Sequence, residues 1–277
     1  MKKLLWIAGG LFLAGAFLFV IVLLIADFNF MNITTVKTVS VSETISENFT
    51  NIKIDTIDCD VSVQLSKDGI CKLEGATAQK MPLTMQVQDG TLIVKQEDQR
   101  KWYDYIGIFN GNHKITLYLP QGVYHQLSMH CTTGDISVPK DFAFNDAAIS
   151  CTTGDVNFQA STKDLTVKTS TGGIFVANIQ TDGKVRLNAT TGDIKLQDVV
   201  CNTLSVKATT GDITLVDCDS QSITIKSTTG DVKATFLTGK VYDVEVTTGN
   251  VSIPPQDRNG GDCKVTTTTG DVTVTVK

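Results

Sequence analysis

The C-terminal half of the chain repeats one short phrase, Thr-Thr-Gly-Asp followed by an alternating apolar run, at a nearly constant spacing. The glycines of these repeats lie 18 to 21 residues apart, at Gly134, Gly154, Gly172, Gly192, Gly211, Gly230, Gly249 and Gly270. A period near 20 residues is too short for a helical repeat pair or a propeller blade, but it suits one coil of a β-solenoid. The repeat therefore predicts stacked coils.

Apolar residues alternate with polar ones on both sides of each glycine. In the repeat at Gly211, Leu204 and Val206 come before the glycine, and Ile213 and Leu215 come after it. The alternation slips by one residue at the repeated phrase, so the phrase must turn the chain. Glycine supplies a positive φ, and aspartate can accept hydrogen bonds from nearby N–H groups in an Asx-type turn. We assign this structural turn role to the eight glycines and to the aspartate or asparagine that follows seven of them: Asp135, Asp155, Asp193, Asp212, Asp231, Asn250 and Asp271.

The aspartates also raise the alternative of calcium bound between coils. Calcium-binding β-rolls use nine-residue repeats, whereas each coil here is about twice as long and carries one aspartate at this position. Gly173 and Asn250 replace the aspartate in two coils, and glycine has no side chain with which to bind a metal. The pattern favours turn chemistry, and we predict neither a metal site nor a cofactor.

Equivalent positions of adjacent coils should stack about 4.8 Å apart, the strand spacing of a β-sheet. We predict an all-β fold, a right-handed parallel β-solenoid of about eight coils of 19–20 residues over residues 121–277. Residues 44–120 contain less regular strands, and because the terminal coil of a solenoid has only one neighbour, we expect an irregular β cap and the first, degenerate coils there. The last coil runs from Asp271 to Lys277. An uncovered edge recruits other strands, which predicts self-association or partner docking through this C-terminal coil.

The N-terminus is a different kind of segment. Lys2 and Lys3 precede an uncharged stretch, residues 4–25, which is long enough as a helix to span a hydrocarbon core of about 30 Å. The stretch is longer than the apolar region of most cleaved signal peptides. We predict a cytoplasmic stub and single transmembrane anchor over residues 1–26 and a linker over residues 27–43. The lysines place the N-terminus in the cytoplasm and the C-terminal domain outside the cell.

The repeats carry a resemblance to a known family. The glycine-aspartate coils, the entry strand Phe49–Ile54 and the strand at 115–120 that ends in proline resemble the LiaG-like putative adhesin family of bacterial β-solenoids, a domain of unknown function. The similarity covers most of residues 44–277. It implies a bacterial cell-envelope protein, in some cases encoded with envelope-stress systems, and it supplies no catalytic residues.

One candidate binding surface is a basic stripe. Outward positions before the corner carry cations in four successive coils, and the next coil along the chain changes to Asp243 and Glu245. The four cations are Lys168, Arg186, Lys207 and Lys226. Like charges stacked at strand spacing repel one another. Either the cations keep a flat sheet soluble and unpaired, or they form a docking face for anionic envelope polymers or lipid headgroups.

A second candidate surface is the stretch at residues 96–112, which breaks the regular spacing. It carries four aromatic residues, Trp102, Tyr103, Tyr105 and Phe109. Exposed aromatic residues on a loop that leaves a rigid scaffold often bind carbohydrate, protein or the membrane interface. The alternative is a folded-back plug that covers the first coil.

The chain has seven cysteines, at Cys59, Cys71, Cys131, Cys151, Cys201, Cys218 and Cys263. Cys131 and Cys151 occupy the same inward position in adjacent coils, where other coils carry small residues. Buried thiols acting as small hydrophobic groups are the simpler interpretation, and a Cys131–Cys151 disulfide is the alternative. The three histidines lie at no recurring ligand spacing from a cysteine.

No catalytic constellation is visible in the sequence, so we predict that the chain is not an enzyme. Its net charge of −5 gives no support for general nucleic-acid binding. We predict a membrane-anchored cell-envelope binding or scaffold protein, adhesin-like, whose partner is an anionic envelope polymer or a membrane protein. The alternative is a regulatory or sensory ectodomain of an envelope-stress system that acts through a membrane partner.

Overall fold

The computed structural model describes residues 2–25, 37–102 and 113–277. Its first element is a single helix, α1 (Lys2–Ile25). Residues 6–24 of this helix form an apolar stretch of 19 residues with a mean hydropathy of 2.7. None of this stretch is buried against the rest of the described chain. By length and composition the helix can cross a membrane, and it fits either an anchor or a signal sequence.

Within the described residues, the N-terminal part of the β-structure contains seven strands. They are β1 (Thr38–Ile45), β2 (Asn51–Asp58), β3 (Asp60–Leu65), β4 (Cys71–Ala78), β5 (Leu83–Gln88), β6 (Thr91–Gln96) and β7 (Lys114–Leu119). Strand β1 pairs antiparallel with β4 and begins inside the segment predicted as a linker, residues 27–43. The linker prediction was wrong from Thr38 onward, because this alternating stretch finds a strand partner that is distant in the sequence.

The repeats form the remaining strands. They are β8 (Val123–Thr133), β9 (Ile136–Val138), β10 (Ala143–Thr153), β11 (Val156–Phe158), β12 (Ser161–Thr171), β13 (Ile174–Gln180), β14 (Lys184–Thr191), β15 (Ile194–Thr210), β16 (Ile213–Thr229), β17 (Val232–Phe236), β18 (Lys240–Thr248), β19 (Val251–Ser252), β20 (Gly261–Thr269) and β21 (Val272–Val276).

Parallel pairing between successive repeats confirms the solenoid-like winding. Leu187 of β14 pairs with Val206 of β15, and Val206 in turn pairs with Ile225 of β16. Equivalent residues of neighbouring coils therefore meet directly, and the inward side chains form one continuous core along the stack. Because the apolar residues repeat at the same place in every coil, each coil buries the apolar face of the next.

The glycine corners explain why the coils can stack so closely. All eight repeat glycines have a positive φ, between 134° and 144°. A Cβ added at Gly211 would lie 2.3 Å from the carbonyl oxygen of Gly192 in the neighbouring coil. Glycine is thus required both by the backbone conformation and by the contact between coils. These glycines take the corner role predicted for them.

A second type of corner lies on the far side of the coil and was missed from the sequence. Asn178, Asp198 and Asp217 each have a positive φ, between 53° and 61°. Asparagine and aspartate are the non-glycine residues that tolerate this conformation best. Only the corner at the glycine was predicted from the sequence, whereas the chain turns again at these positions.

The aspartates after the glycines act differently from the prediction. They do not close Asx turns within their own corner. Instead, Oδ1 of Asp193 accepts a hydrogen bond from the backbone N–H of Asp212 in the next coil, and Oδ1 of Asp212 accepts one from Asp231, both at 2.8 Å. The same bond joins further pairs, written acceptor first: Asp60 and Asp135, Asp135 and Asp155, Asp155 and Gly173, Asp231 and Asp271, Asp271 and Asn250. Gly173 has no carboxylate, so this aspartate ladder has a gap there.

The coils do not stack in chain order at the C-terminal end. Strand β20 pairs with β16 on one side and with β18 on the other, and β21 lies between β17 and β19. The C-terminal coil is therefore inserted, and the coil of β18 and β19 ends the stack. The prediction that the coil at Asp271–Lys277 forms the uncovered end was wrong. Pro254 and Pro255 follow β19 and cannot donate to a strand ladder, so the chain leaves the stack there before it returns.

At the N-terminal end of the stack, too, two coils stack out of chain order. The coil of β2 and β3 lies between that of β6 and β7 and that of β8 and β9. Beyond it, β5 pairs antiparallel with β6, and β4 pairs antiparallel with β7. The region expected to form a cap and the first coils thus consists of two in-register coils covered by antiparallel strands.

The corner contact can be tested with two glycine-to-alanine variants. Gly211→Ala should lower the free energy of unfolding by about 3 kcal/mol or more, because it adds a backbone clash to an unfavourable φ. Gly90→Ala is the control: its φ is 69°, but no atom lies within 4 Å of the added Cβ. It should cost only about 1 kcal/mol. Equal losses in urea denaturation would contradict the close contact between coils.

The aspartate ladder makes a different prediction. Asp212→Asn should change stability little, because the amide oxygen can still accept the hydrogen bond, whereas Asp212→Ala should lose about 0.5–1 kcal/mol. Gly173→Asn should gain a smaller amount by filling the gap: its φ is not in the positive region, but its added Cβ would lie 3.3 Å from the Asp193 carbonyl oxygen, and this tight contact offsets part of the gain. Thermal melts measure these changes. A lower melting temperature for Gly173→Asn, or a higher melting temperature of the unaltered chain on adding calcium, would contradict the ladder.

Candidate functional site

The basic residues predicted from the sequence lie on one face of the stack. Lys168 pairs with Asn188, Asn188 pairs with Lys207, and Lys207 pairs with Lys226. These four positions form one column, each four residues before its glycine. Arg186 lies in the adjacent column, because it is six residues before Gly192 and pairs with Thr166 and Ser205. The prediction that all four cations share one column was therefore wrong for Arg186, and Asn188 occupies its place in that column.

The residues paired directly with these cations on adjacent strands carry no opposing charge. Their neighbours in the two columns are small or uncharged: Ala148, Ser150, Thr166, Asn188, Ser205 and Thr224. Lys168, Arg186, Lys207 and Lys226 are all exposed, and none forms an ion pair with a residue that the structure describes. Lys207 and Lys226 stand on adjacent strands, about 4.8 Å apart along the stack. We call these four residues the basic face.

The basic face ends beside an ion-paired cluster of one ammonium and two carboxylates. Next to Lys226 lies β20 rather than β18, because of the exchanged coils, and it places Lys264 in the column of Arg186. The Lys264 ammonium lies 2.7 Å from Asp243 Oδ2 and 3.5 Å from Glu245 Oε1. The hydrogen bond to Asp243 and the charges of both carboxylates raise the pKa of Lys264. Its charge is therefore satisfied, unlike those of the basic face.

The aromatic surface is described at only one of its residues. Trp102 lies shortly after the end of β6 and is 77% exposed. Tyr103, Tyr105 and Phe109 lie outside the described residues. The choice between a binding loop and a plug therefore stays a prediction.

A groove on another part of the surface was not expected from the sequence. Its volume is about 840 Å³, and its polar lining includes Asn202, Gln221 and Asn259. At its base Lys240 is buried, where its ammonium pairs with the Asp219 carboxylate and donates to Thr238 Oγ1 at 2.7 Å. No sequence motif marks this pair, because the two residues come from different coils.

The Lys240–Asp219 pair has a structural explanation. Asp219 belongs to β16 and Lys240 to β18, and the inserted coil passes between these two coils. A Cβ at Gly260 would lie 2.9 Å from the Lys240 Cα, so the inserted chain must be slim at this point. The buried pair thus joins the end coil to the coil two places below it. Each charge satisfies the other, which leaves neither as a free general acid or base.

All seven cysteines are free and buried. Burial raises the pKa of Cys59, Cys218 and Cys263 to about 12, so these thiols stay protonated at neutral pH. Cys131 and Cys151 are in register on adjacent strands, and both sulfur atoms approach the carbonyl oxygen of Gly134, at 3.6 and 3.4 Å. The structure therefore shows buried thiols and not the alternative disulfide. In the described residues, no group of three or more candidate ligands is placed to hold a metal.

Comparison with known proteins gives one family match and several similar folds. The family model for Toastrack DUF4097 matches residues 49–183 and 159–277. No curated protein is significantly similar in sequence.

Three solved structures illustrate the structural similarity. A putative adhesin from Parabacteroides distasonis has 14% identity and a TM-score of 0.46 over 88% of this chain and 96% of its own. One from Bacteroides fragilis has 15% identity and a TM-score of 0.46 over 87% and 97%. A putative lipid binding protein from Parabacteroides distasonis has 15% identity and a TM-score of 0.44 over 86% and 95%.

Proposed function

The chain belongs to the Toastrack DUF4097 family, and we propose that it is a membrane-anchored bacterial cell-envelope protein that binds an anionic envelope polymer through the basic face. It acts as an adhesin-like binding or scaffold protein without catalytic activity. We also propose that the chain belongs to a LiaG-like group. The same proposal includes a stack of about eight coils with right-handed winding, the hand that parallel crossover connections strongly prefer.

The observation that carries this proposal is the set of uncompensated cations on a regular sheet face. The chain as a whole is acidic, with a net charge of −5, yet four exposed cations lie together with no carboxylate among them. Their mutual repulsion costs stability and would be relieved by a bound polyanion. A flexible loop would have to be ordered on binding, whereas the backbone positions that carry these side chains are already fixed by the stacked sheet.

The spacing of the cations favours a linear polymer over a compact anion. Lys168 and Lys207 are two coils apart, which is about 10 Å, and Lys226 is one coil further. A polymer with a negative charge on each repeating unit can contact all of them at once, and multiple weak contacts then add up along one chain. A single small anion reaches at most two.

The helix α1 supports anchoring at a membrane. Its apolar stretch is long enough to span the hydrocarbon core, and Lys2 and Lys3 precede it. The positive-inside tendency then places the N-terminus in the cytoplasm and the β-structure outside the cell, where envelope polymers are found. The part of the proposal that excludes catalysis rests on the pairing of Lys240 with Asp219 and on the burial of the seven thiols.

The proposal can be tested by charge reversal on the basic face. The full chain, reconstituted in nanodiscs of zwitterionic lipid, is titrated with poly(glycerol phosphate) at low salt. The variant with Lys168→Glu, Lys207→Glu and Lys226→Glu should bind at least about tenfold more weakly, and the binding of the unaltered chain should fall steeply with added salt. A control with Lys140→Glu, Lys195→Glu and Lys233→Glu makes the same change in net charge at exposed positions of another side, and it should stay within about threefold of the unaltered chain.

Two results would contradict the proposal. Equal losses in the two variants would mean that only the net charge matters. Binding to anionic vesicles of phosphatidylglycerol but not to the polymer would assign the basic face to lipid headgroups instead.

A further inference from the structure

One end of the stack has an edge to which no strand is added. Strand β18 pairs with β20 alone, and β19 pairs with β21 alone, within the part of the chain that the structure describes. The opposite end is covered, because β4 and β5 pair antiparallel with its outer coil. We call residues 243–252 of the uncovered coil the end edge.

The protein itself shows how this edge receives an extra peptide group. The side-chain amide of Gln256 accepts a hydrogen bond from the Tyr242 N–H at 2.7 Å and donates one to the Tyr242 carbonyl at 2.9 Å. It therefore imitates one residue of a neighbouring strand. Asp257 N–H adds a bond to the Lys240 carbonyl at 3.1 Å. The segment that carries Gln256 thus covers the start of β18 and leaves the rest of the strand uncovered.

The rest of β18 keeps the same orientation without the same cover. Peptide groups of alternate strand residues point to the same side, so those of Val244 and Val246 point outward like that of Tyr242. No acceptor or donor reaches them from the residues that the structure describes. Asn250 ends the aspartate ladder in the same way: its N–H donates to Asp271 at 2.7 Å, and its own side-chain oxygen faces no further coil.

Apolar side chains at the end edge are only partly covered. Val244 and Val246 occupy inward positions and are half-buried, whereas their counterparts in the adjacent coil, Val265 and Thr267, are fully buried. Val251 is 47% exposed and Ile253 38% exposed. One more strand with apolar residues at alternate positions would bury these groups and supply the missing backbone hydrogen bonds.

The charges at the end edge decide between possible occupants. Asp243 and Glu245 lie on the outer side of β18 and share the single ammonium of Lys264. If a second copy paired β18 antiparallel with β18, a register centred on Val244 would place Asp243 opposite Glu245, and a register centred on Glu245 would place that residue opposite itself. Like charges directly opposite are destabilising in a sheet. A strand with basic residues at these outer positions is instead complementary to the pair.

We propose that the end edge binds an extended segment of another protein as an added β-strand, and that this segment alternates apolar residues with lysine or arginine. Its backbone pairs with Val244 and Val246, its apolar side chains continue the core, and its cations lie beside Asp243 and Glu245. The mode of recognition is β-augmentation, in which backbone bonds give affinity and alternate side chains give specificity. This site is separate from the basic face and does not depend on it.

The proposal can be tested with defined peptides. A fluorescent nine-residue peptide of alternating lysine and valine is titrated against the full chain in zwitterionic nanodiscs, and fluorescence anisotropy reports binding. It should bind at least about tenfold more tightly than a block peptide of the same composition or an alternating peptide methylated on its edge-facing amides. An alternating glutamate and valine peptide should bind weakly.

Protein variants locate the binding and test its charge preference. Val246→Pro removes an outward N–H that no neighbouring strand uses, so it should preserve the fold and abolish peptide binding. The pair Asp243→Lys and Glu245→Lys should reverse the preference, so that the glutamate and valine peptide becomes the tighter ligand by about tenfold. The pair Asp141→Lys and Asp182→Lys makes the same change in net charge at exposed positions outside the end edge; it serves as the control and should keep the preference for the lysine peptide.

Three results would overturn the proposal. The first is equal binding of the alternating, block and methylated peptides. The second is an unchanged charge preference in the lysine variant. The third is self-association of the unaltered chain in sedimentation that Val246→Pro abolishes, because the occupant would then be a second copy of this chain.

Discussion

The contact between stacked glycine corners is the constraint on which the rest of the structure depends. At Gly211 the carbonyl of Gly192 occupies the space where any side chain would begin. This close approach brings the coils to strand spacing and aligns each corner with the one below it. Because the corners are aligned, every inward residue meets its counterpart, and every outward residue stands in a fixed column. The core and the basic face therefore follow from the same backbone contact.

The two ends of the stack need additional interactions, because a coil at an end has only one neighbour. At the first end the antiparallel strands β4 and β5 supply the cover. At the other end the chain inserts its last coil and holds the end coil in place through the buried Lys240–Asp219 pair. Gln256 then satisfies one peptide group of β18 and leaves the rest of the edge available. The structure thus closes one end fully and the other only in part.

The repeat was sufficient to predict the corners and the alternating core, because each depends on residues close together in the sequence. The stacking order was not predictable in this way: whether β16 is followed by β18 or by β20 depends on contacts between distant segments. The aspartates were assigned to Asx turns because the same residue suits either a local bond or a bond to the next coil. Lys168, Lys207 and Lys226 were correctly placed outward. Arg186 could have been assigned to its own column by counting back from Gly192. Lys240 and Asp219 carry no local signal.

The exchanged coils at the end of the stack can be tested by distance measurement. Two variants are each labelled at a pair of introduced cysteines: His130→Cys with Thr266→Cys, and His130→Cys with Glu245→Cys. The native thiols are buried and should not react with the spin label. Along the register, Thr266 lies six strand spacings from His130 and Glu245 lies seven. Electron–electron double resonance should therefore give about 29 Å for the first pair and about 34 Å for the second. A shorter distance to residue 245 than to residue 266 would show that the coils stack in chain order and would contradict both the exchange and the end edge.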